Sequence, residues 1–419
     1  MPKGINQLYY VAHLIQKILK KLFFYSKYIF SIPITIFIYI ISPLYKIKFF
    51  ALFSERIGHY ALNTELMLCT LETQPTKKNC FYIFYTRPTF LPLCNTQLHR
   101  MWKRVIYIFP FPVVAEQTDS LLKLLLGKTY KQEKIKVTFE SASGANDPLG
   151  LLQKIQTPHL KFTLKEIAQG ERLISTLGVS HHAKIVCLIV RDSAYLNAHL
   201  PGLDWSYHNF RDVDVDTFKL TALFLAEKGY YVVRMGKVVE KKFDVQHERI
   251  IDYATSELRS DFMDIYLLSR CNFFISTVTG LDCVPQIFRR PGLFTNVVLP
   301  GELLPWYPNR LFIPKKIRDK ITRKILPFNT YYEIFNMSQD KLSMMAFLKK
   351  HQLEVIQNTE IEILDVVKEM ENLINLNIDI DACKKNDALQ NKFWERFPKK
   401  IGSEYYIRIG SAFLEKILF

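Results

Sequence analysis

Residues able to hold anions or move protons collect where strand-like apolar runs end. The run KIVCLIV (184–190) is followed at once by Arg191-Asp192-Ser193-Ala194-Tyr195. An arginine at a strand's carboxyl end suits bidentate binding of phosphate; the plainer alternative is an Arg191–Asp192 pair that only shapes the turn. GYYVVRMG (229–236) ends in Arg234-Met235-Gly236-Lys237, two cations around a glycine that permits a tight turn. In NFFISTVTGLDCVPQIF (272–288) a buried strand runs into Ser276-Thr277-Val278-Thr279-Gly280 and then a helix. Hydroxyls and free N–H groups at a helix start make a ready anion site, here from Ser276, Thr277, Thr279 and Gly280. The pattern is neither GxGxxG nor a P-loop, which counts against dinucleotide dehydrogenases and NTPases.

Three further loops carry polar side chains beyond what folding needs. DWSYHNFRDVDVD (204–216) gathers Tyr207, His208, Arg211, Asp212, Asp214 and Asp216 ahead of a helix. Asp214 or Asp216 serves as an N-cap. Tyr207, His208 and Arg211 have no such local reason and suit sugar hydroxyls or a proton transfer. ATSELRSDFMD (254–264) offers Thr255, Ser256, Arg259 and Asp261 at the place where a nucleotide's base or ribose would lie, although Ser260 and Asp261 also read as a helix start. SERIGHYALNTEL (54–66) makes a strand–Gly58–helix turn that exposes His59, with Asn63 one turn on. A base there would act on an acceptor hydroxyl; a structural histidine is the plainer reading.

The elements that must position these residues alternate between strand-length apolar runs and helix-length segments, which implies parallel sheets with crossover helices. A first series runs 47–53, helix 60–71, 80–86, helix 93–103 and RVIYIFPF (104–111), then an amphipathic stretch at 116–127 and a polar passage at 138–150. A second has a helix at 165–177, a strand at 184–190, a helix at 215–228, strands at 229–236 and near 250–253, a helix at 261–270, a strand at 272–279, a helix at 280–290 and a strand at 292–298. Continuous rather than alternating apolar strands are those covered by helices on both faces. From 340 the chain reads as helices. The predicted fold is α/β, two facing Rossmann-like domains (47–164 and 165–335) with an N-terminal arm (1–46) and a helical tail (336–419) whose last helix packs back on the N-terminal domain. Ligands in such sheets bind beyond the carboxyl ends of the strands.

The chain has 419 residues, 49% apolar and 23% charged, which excludes wholesale disorder and coiled coil. Its seven scattered cysteines form no CxxC pair, so neither a disulfide scaffold nor a zinc ribbon is indicated, and a reducing compartment is expected. The net charge of +16 is uneven: residues 1–60 hold eight Lys/Arg against Glu55 alone, and KKIRDKITRK (315–324) holds six cations against one Asp. No nucleic-acid-binding signature accompanies this charge. The eighteen uncharged residues 28–45 would span about 27 Å as a helix, slightly short of a hydrocarbon core, and contain Pro33 and Pro43. A helix or hairpin held in one leaflet by flanking lysines is the expected state; a single span and an arm packed on the protein's own core are the alternatives.

RIGHYALNTEL, CLIVRDSAYL, YHNFRDVDVDTF, GYYVVRMGKVVEK, DYATSELRSDFMDIYLLSRCNFFISTVTGLDCVPQIFRRPGLFTNVV and the closing RIGSAFL together resemble a bacterial family of glycosyltransferases found with surface-polysaccharide and glycan-assembly genes and assigned to the GT-B architecture. The likeness covers about residues 50–310 plus the last helix. Ile189 departs from it, standing where the family pattern has a histidine two residues before the arginine. The resemblance implies a cytoplasmic enzyme, which the basic apolar arm would dock on the cytoplasmic face of the bacterial inner membrane. It would move a sugar from a nucleotide sugar to a glycan or lipid-linked acceptor, with no metal and no cofactor beyond that co-substrate. The resemblance extends to Arg191 and to Ser276–Gly280 as donor-phosphate elements; read with the other strand-end residues, Arg191, Arg234, Gly236, Lys237, Ser276, Thr277, Thr279 and Gly280 are expected to bind the donor phosphates, and Thr255, Ser256, Arg259 and Asp261 the nucleotide. Gly58, Asn63, Tyr207 and Arg211 face the acceptor, with His59 the first-choice base and Asp212 or His208 its alternatives. A membrane-attached glycan-binding scaffold without catalysis is the rival, and an epimerase or phosphorylase of the same architecture a third possibility.

Overall fold

The computed structural model describes residues 28–73, 79–89, 91–132, 147, 149–180, 182–199, 204–298, 310–327, 341–376, 388–395 and 407–418. The part of the arm before Tyr28 and most of the 138–150 passage lie outside the described residues. The chain divides into two compact units interleaved in sequence. One comprises Met1–Arg56, Thr70–Cys94 and Trp102–Val137; the other comprises Ile57–Cys69, Asn95–Met101 and Thr138–Phe419.

In the first unit, β1 (Lys46–Leu52) and β2 (Cys80–Thr86) pair in parallel. The strand expected at 104–111 is reduced to one bridge, Phe84 to Ile108. Helix wins up to Val105 because Leu98, Met101 and Trp102 recur at helical spacing and are buried. A 28–41 helix and the helix Pro112–Gln132 cover the pair, around a core of Ile38, Phe49, Tyr85, Ala115, Leu122 and Tyr130. Among the described residues no helix is long and apolar enough to cross a membrane. The 28–41 helix is inverted in polarity, however. Its buried face carries Ser31, Thr35 and Ile38, the Thr35 hydroxyl donating to the Ser31 carbonyl, while Ile29, Phe30, Phe37 and Ile40 stand 62–67% exposed.

The second unit is built on a seven-stranded sheet: β3 (Lys184–Ile189), β4 (Tyr230–Met235), β5 (Ile250–Ile251), β6 (Phe273–Ser276), β7 (Gly292–Val297), β8 (Arg310–Pro314) and β11 (Arg408–Ile409). Its order is β11-β8-β7-β6-β3-β4-β5 and every pairing is parallel. The chain lays β4 and β5 to one side of β3, then crosses back to lay β6, β7, β8 and β11 on the other, so the winding reverses between β3 and β6. Strands β3, β4, β6, β7 and β8 are buried almost throughout, as doubly covered strands are.

The region after 336 is more than the expected helical tail. β9 (Lys316–Asp319) pairs antiparallel with β10 (Leu353–Ile356), and β11 closes the edge of the large sheet. Asn296 and Asn358, both buried, exchange backbone N–H to side-chain oxygen bonds at 2.6 and 2.7 Å, and the Asn358 amide donates to the Pro314 carbonyl at 2.8 Å. The helix Glu360–Asn375 packs on the helix Lys219–Glu227, and the closing helix Ser411–Leu418 packs on Glu360–Asn375.

Candidate functional site

Because the sheet is parallel, the residues just past β3, β4, β6 and β8 emerge on one edge. Arg191 follows β3, Gly236 and Lys237 follow β4, Thr277 follows β6 and Lys315 follows β8. The reversal between β3 and β6 is the place where such sheets open a crevice. Two hydrogen bonds tie its lips: Thr277 N–H donates to the Ile189 carbonyl at 3.1 Å, and Arg191 N–H to the Thr277 hydroxyl at 2.8 Å. Ile189, itself buried, thus contributes backbone rather than side-chain chemistry.

The 276–280 loop is not the nest of free amides expected. Asp282, fully buried, accepts from the Ser276 hydroxyl at 2.7 Å and from Thr279 N–H at 2.8 Å, and Gln286 holds its other oxygen. Val278 N–H goes to the Ser276 hydroxyl and Leu281 N–H to that of Thr279. The helix expected at 280–290 is only Cys283–Ile287. The hydroxyls of Ser276 and Thr279 therefore shape the loop, and the amides of Val278 and Thr279 are spent within it. Burial pushes the Asp282 carboxyl up to about 6 although the Ser276 hydroxyl and Thr279 N–H pull it down. Val278 sits at φ 61°, a left-handed conformation that costs a β-branched residue about 1–3 kcal/mol.

Positive charge comes instead from side chains. Arg191 Nε lies 3.2 Å from the Asp212 carboxylate, and the Arg211 guanidinium donates to the Val278 carbonyl at 2.9 Å. Lys315, 5% exposed, donates from Nζ to the carbonyls of Phe210 and Asp212 at 2.9 and 2.8 Å. Burial raises the Asp212 pKa, opposed by Arg191 and Lys315. Asp192 turns inward to cap Ala194 N–H and Glu240 N–H, which fixes the loop after Arg191.

Arg234 takes another role than the expected phosphate ligand: it is 1% exposed and its guanidinium meets Asp252 at 3.1 Å. Gly236 is closely packed, a Cβ there meeting the Val239 side chain at 2.6 Å. Lys237 lies 3.7 Å from Asp261. Asp261 also accepts from the N–H and hydroxyl of Thr96, and Arg259 is bound to Asp264, so both belong to a polar network at a helix start. Thr255 is exposed but donates to Asp252, and the Ser256 hydroxyl accepts from Leu258 N–H. The side chains of Tyr207 and His208 lie outside the described residues.

Gly58 begins the helix Ile57–Thr73 in direct contact with the 276–280 loop: a Cβ on it would lie 2.8 Å from Gly280 Cα and 2.9 Å from Gly280 O. His59 is the next residue, its Nδ1 3.4 Å from the buried Asn63 amide nitrogen. Further along the same helix, Glu65 and Cys69 group with His159 from a distant loop in the manner of a metal site. The Arg289 guanidinium occupies that group, 2.7 Å from Glu65 and 3.8 Å from Cys69 Sγ, so the carboxylate already has its cation. Lys315 is the residue that reading strand ends from the sequence missed.

No known family pattern and no curated protein matches the sequence. Solved structures similar to the chain include the glycosyl transferase family 9 from Veillonella parvula DSM 2008, at 10% identity and TM-score 0.42 over 79% of this chain and 97% of that one. Others are E. coli ADP-heptose lps heptosyltransferase II (12% identity, TM-score 0.38, 64% and 90% covered) and E. coli heptosyltransferase WaaC with ADP-2-deoxy-2-fluoro heptose (12%, 0.31, 73% and 99%). At such identities and TM-scores the likeness carries no conclusion about function.

Proposed function

We propose that the chain is a glycosyltransferase of GT-B type that moves a sugar from a nucleotide sugar to a glycan or lipid-linked acceptor. The observation that carries this reading is the convergence of Arg191, Arg211 and Lys315 on the crevice between β3 and β6. Beyond the loops they order, three cations gathered at one crevice suit a departing diphosphate. The acceptor hydroxyl attacks the anomeric carbon, the bond from that carbon to the diphosphate oxygen breaks, and the nucleoside diphosphate leaves with the bonding electrons. Arg191, with Lys237 on the next loop, faces the charge that grows on the leaving group, where preorganised cations act most strongly. His59 takes the acceptor proton. The 254–256 segment, with Thr255 exposed, receives the base. No metal or organic cofactor is assigned, since side-chain cations serve the diphosphate.

A thermal-shift screen with UDP-, GDP-, CMP- and dTDP-linked sugars tests this. Occupancy at 100 times Kd adds about 2.7 kcal/mol of stability, so one nucleotide class is expected to raise Tm by several degrees. No shift with any donor would leave the scaffold reading in its place.

The same proposal places the protein on the cytoplasmic face of the bacterial inner membrane through its arm. The support is the inverted 28–41 helix, which turns hydroxyls inward and large apolar side chains outward. Each such side chain gains about 1.5–3 kcal/mol on leaving water. The intact protein is expected to float with anionic vesicles even in high salt, and a variant with Ile36→Glu, Phe37→Glu and Ile40→Glu to stay below. Equal flotation of the two would remove the arm as the anchor.

A further inference from the structure

We infer that Lys315 is a positioning residue for the anion site: its buried ammonium clamps the 210–212 segment and through it sets the places of Arg211 and Arg191. The inference rests on the phosphate reading of that site. Lys315 reaches across more than a hundred residues of sequence to bond two carbonyls, Phe210 O and Asp212 O, one on each side of Arg211. Arg211 in turn holds the Val278 carbonyl in the left-handed turn of the β6 loop. The Asp212 side chain, on the same residue as a clamped carbonyl, is the partner of Arg191. One side chain at the end of β8 thereby orders groups carried by the loops after β3 and β6.

A space-filling role would not call for an ammonium. Burying one is costly unless acceptors meet it, and an apolar side chain of similar length would fill the same volume. The charged groups facing Lys315 are Asp212, Arg211 and Arg191. Burial brings its pKa down to about 8, with Asp212 opposing and the two arginines adding to the effect. Below that pH the side chain is charged. As pH rises through it, the two bonds lose their charge assistance and the site loses a positive charge. Anion affinity should therefore fall across the range from about pH 7 to about pH 9.

The test is calorimetric titration of the full-length, detergent-solubilised protein with inorganic pyrophosphate at about pH 7 and about pH 9, for wild type, Lys315→Arg and Lys315→Met. Pyrophosphate itself titrates in this range, and the arginine variant, charged throughout, reports that background. Lys315→Met is expected to bind at least about tenfold more weakly at the lower pH. Wild type should lose about fivefold or more beyond the loss shown by Lys315→Arg, approaching the methionine variant at the higher pH. Lys315→Met binding within about twofold of wild type, or identical pH slopes for wild type and Lys315→Arg, would overturn the inference and leave the phosphate site standing. Failure of wild type to bind pyrophosphate at either pH would overturn both. The wild-type and arginine slopes decide the matter even if the methionine variant does not fold.

Discussion

Replacing Arg191 with alanine is expected to lower the rate of sugar transfer by about 10²–10³-fold, the loss of about 3–4 kcal/mol of stabilisation of the leaving group. The guanidinium stands at the carboxyl end of β3, at the reversal of the sheet, and is oriented by Asp212 at 3.2 Å. The fold should tolerate the change, because the backbone of residue 191 keeps its bond to Thr277 and the Asp212 carboxylate keeps Lys315 nearby. Lysine at 191 should recover little, since an ammonium lacks the planar fork that grips two phosphate oxygens. The measurement is turnover with the nucleotide sugar that stabilises the protein, alongside Tm. Activity within about tenfold of wild type in a variant of unchanged Tm would remove Arg191 from the chemistry.

Alanine at Gly58 should cost both stability and activity, while alanine at Gly280 across the same contact should cost little. The asymmetry is geometric. A Cβ at 58 meets the Gly280 backbone at 2.8 and 2.9 Å, where nothing flexible can give way, but a Cβ at 280 meets Gly58 only at 3.4 and 3.6 Å. The expected loss for Gly58→Ala is about 1–3 kcal/mol by chemical denaturation, the usual range for overpacking. Activity should drop about 100-fold, because the displaced segments are the β6 loop and the turn bearing His59, and a shift near 1 Å in a catalytic group costs that much. Equal effects of the two substitutions would mean that the contact does not position the site.

Much of this architecture is legible in the residues. The strands at 184–189, 230–235, 273–276 and 292–297 are mostly apolar runs, and Arg191 is visible as the first charge after one of them. β8 is hidden because LFIP lies between Arg310 and Lys315, two charges that read as surface and are in fact buried. For the same reason Lys315 disappears into a run of six cations that resembles a solvated patch. An apolar tetrapeptide, LFIP, ending on a lysine is the available signal. The free amides expected at 276–280 are absent because Asp282, which looks like a helix residue, folds back on Ser276 and Thr279. Arg234 shows the opposite limit: its place at a strand end is plain, but its pairing with Asp252, eighteen residues on, depends on the neighbouring strand.

The clasp between Asn296 and Asn358 bears on how short this chain can be made. A cut near residue 335 would look harmless if the remainder were an appendage. It would instead strip β11 from the rim of the large sheet and expose a new edge to other chains. It would also take Asn358 from its partner, leaving the Pro314 carbonyl without its donor one residue before Lys315. The segment beyond the cut thus braces the end of β8, from which Lys315 reaches the anion site.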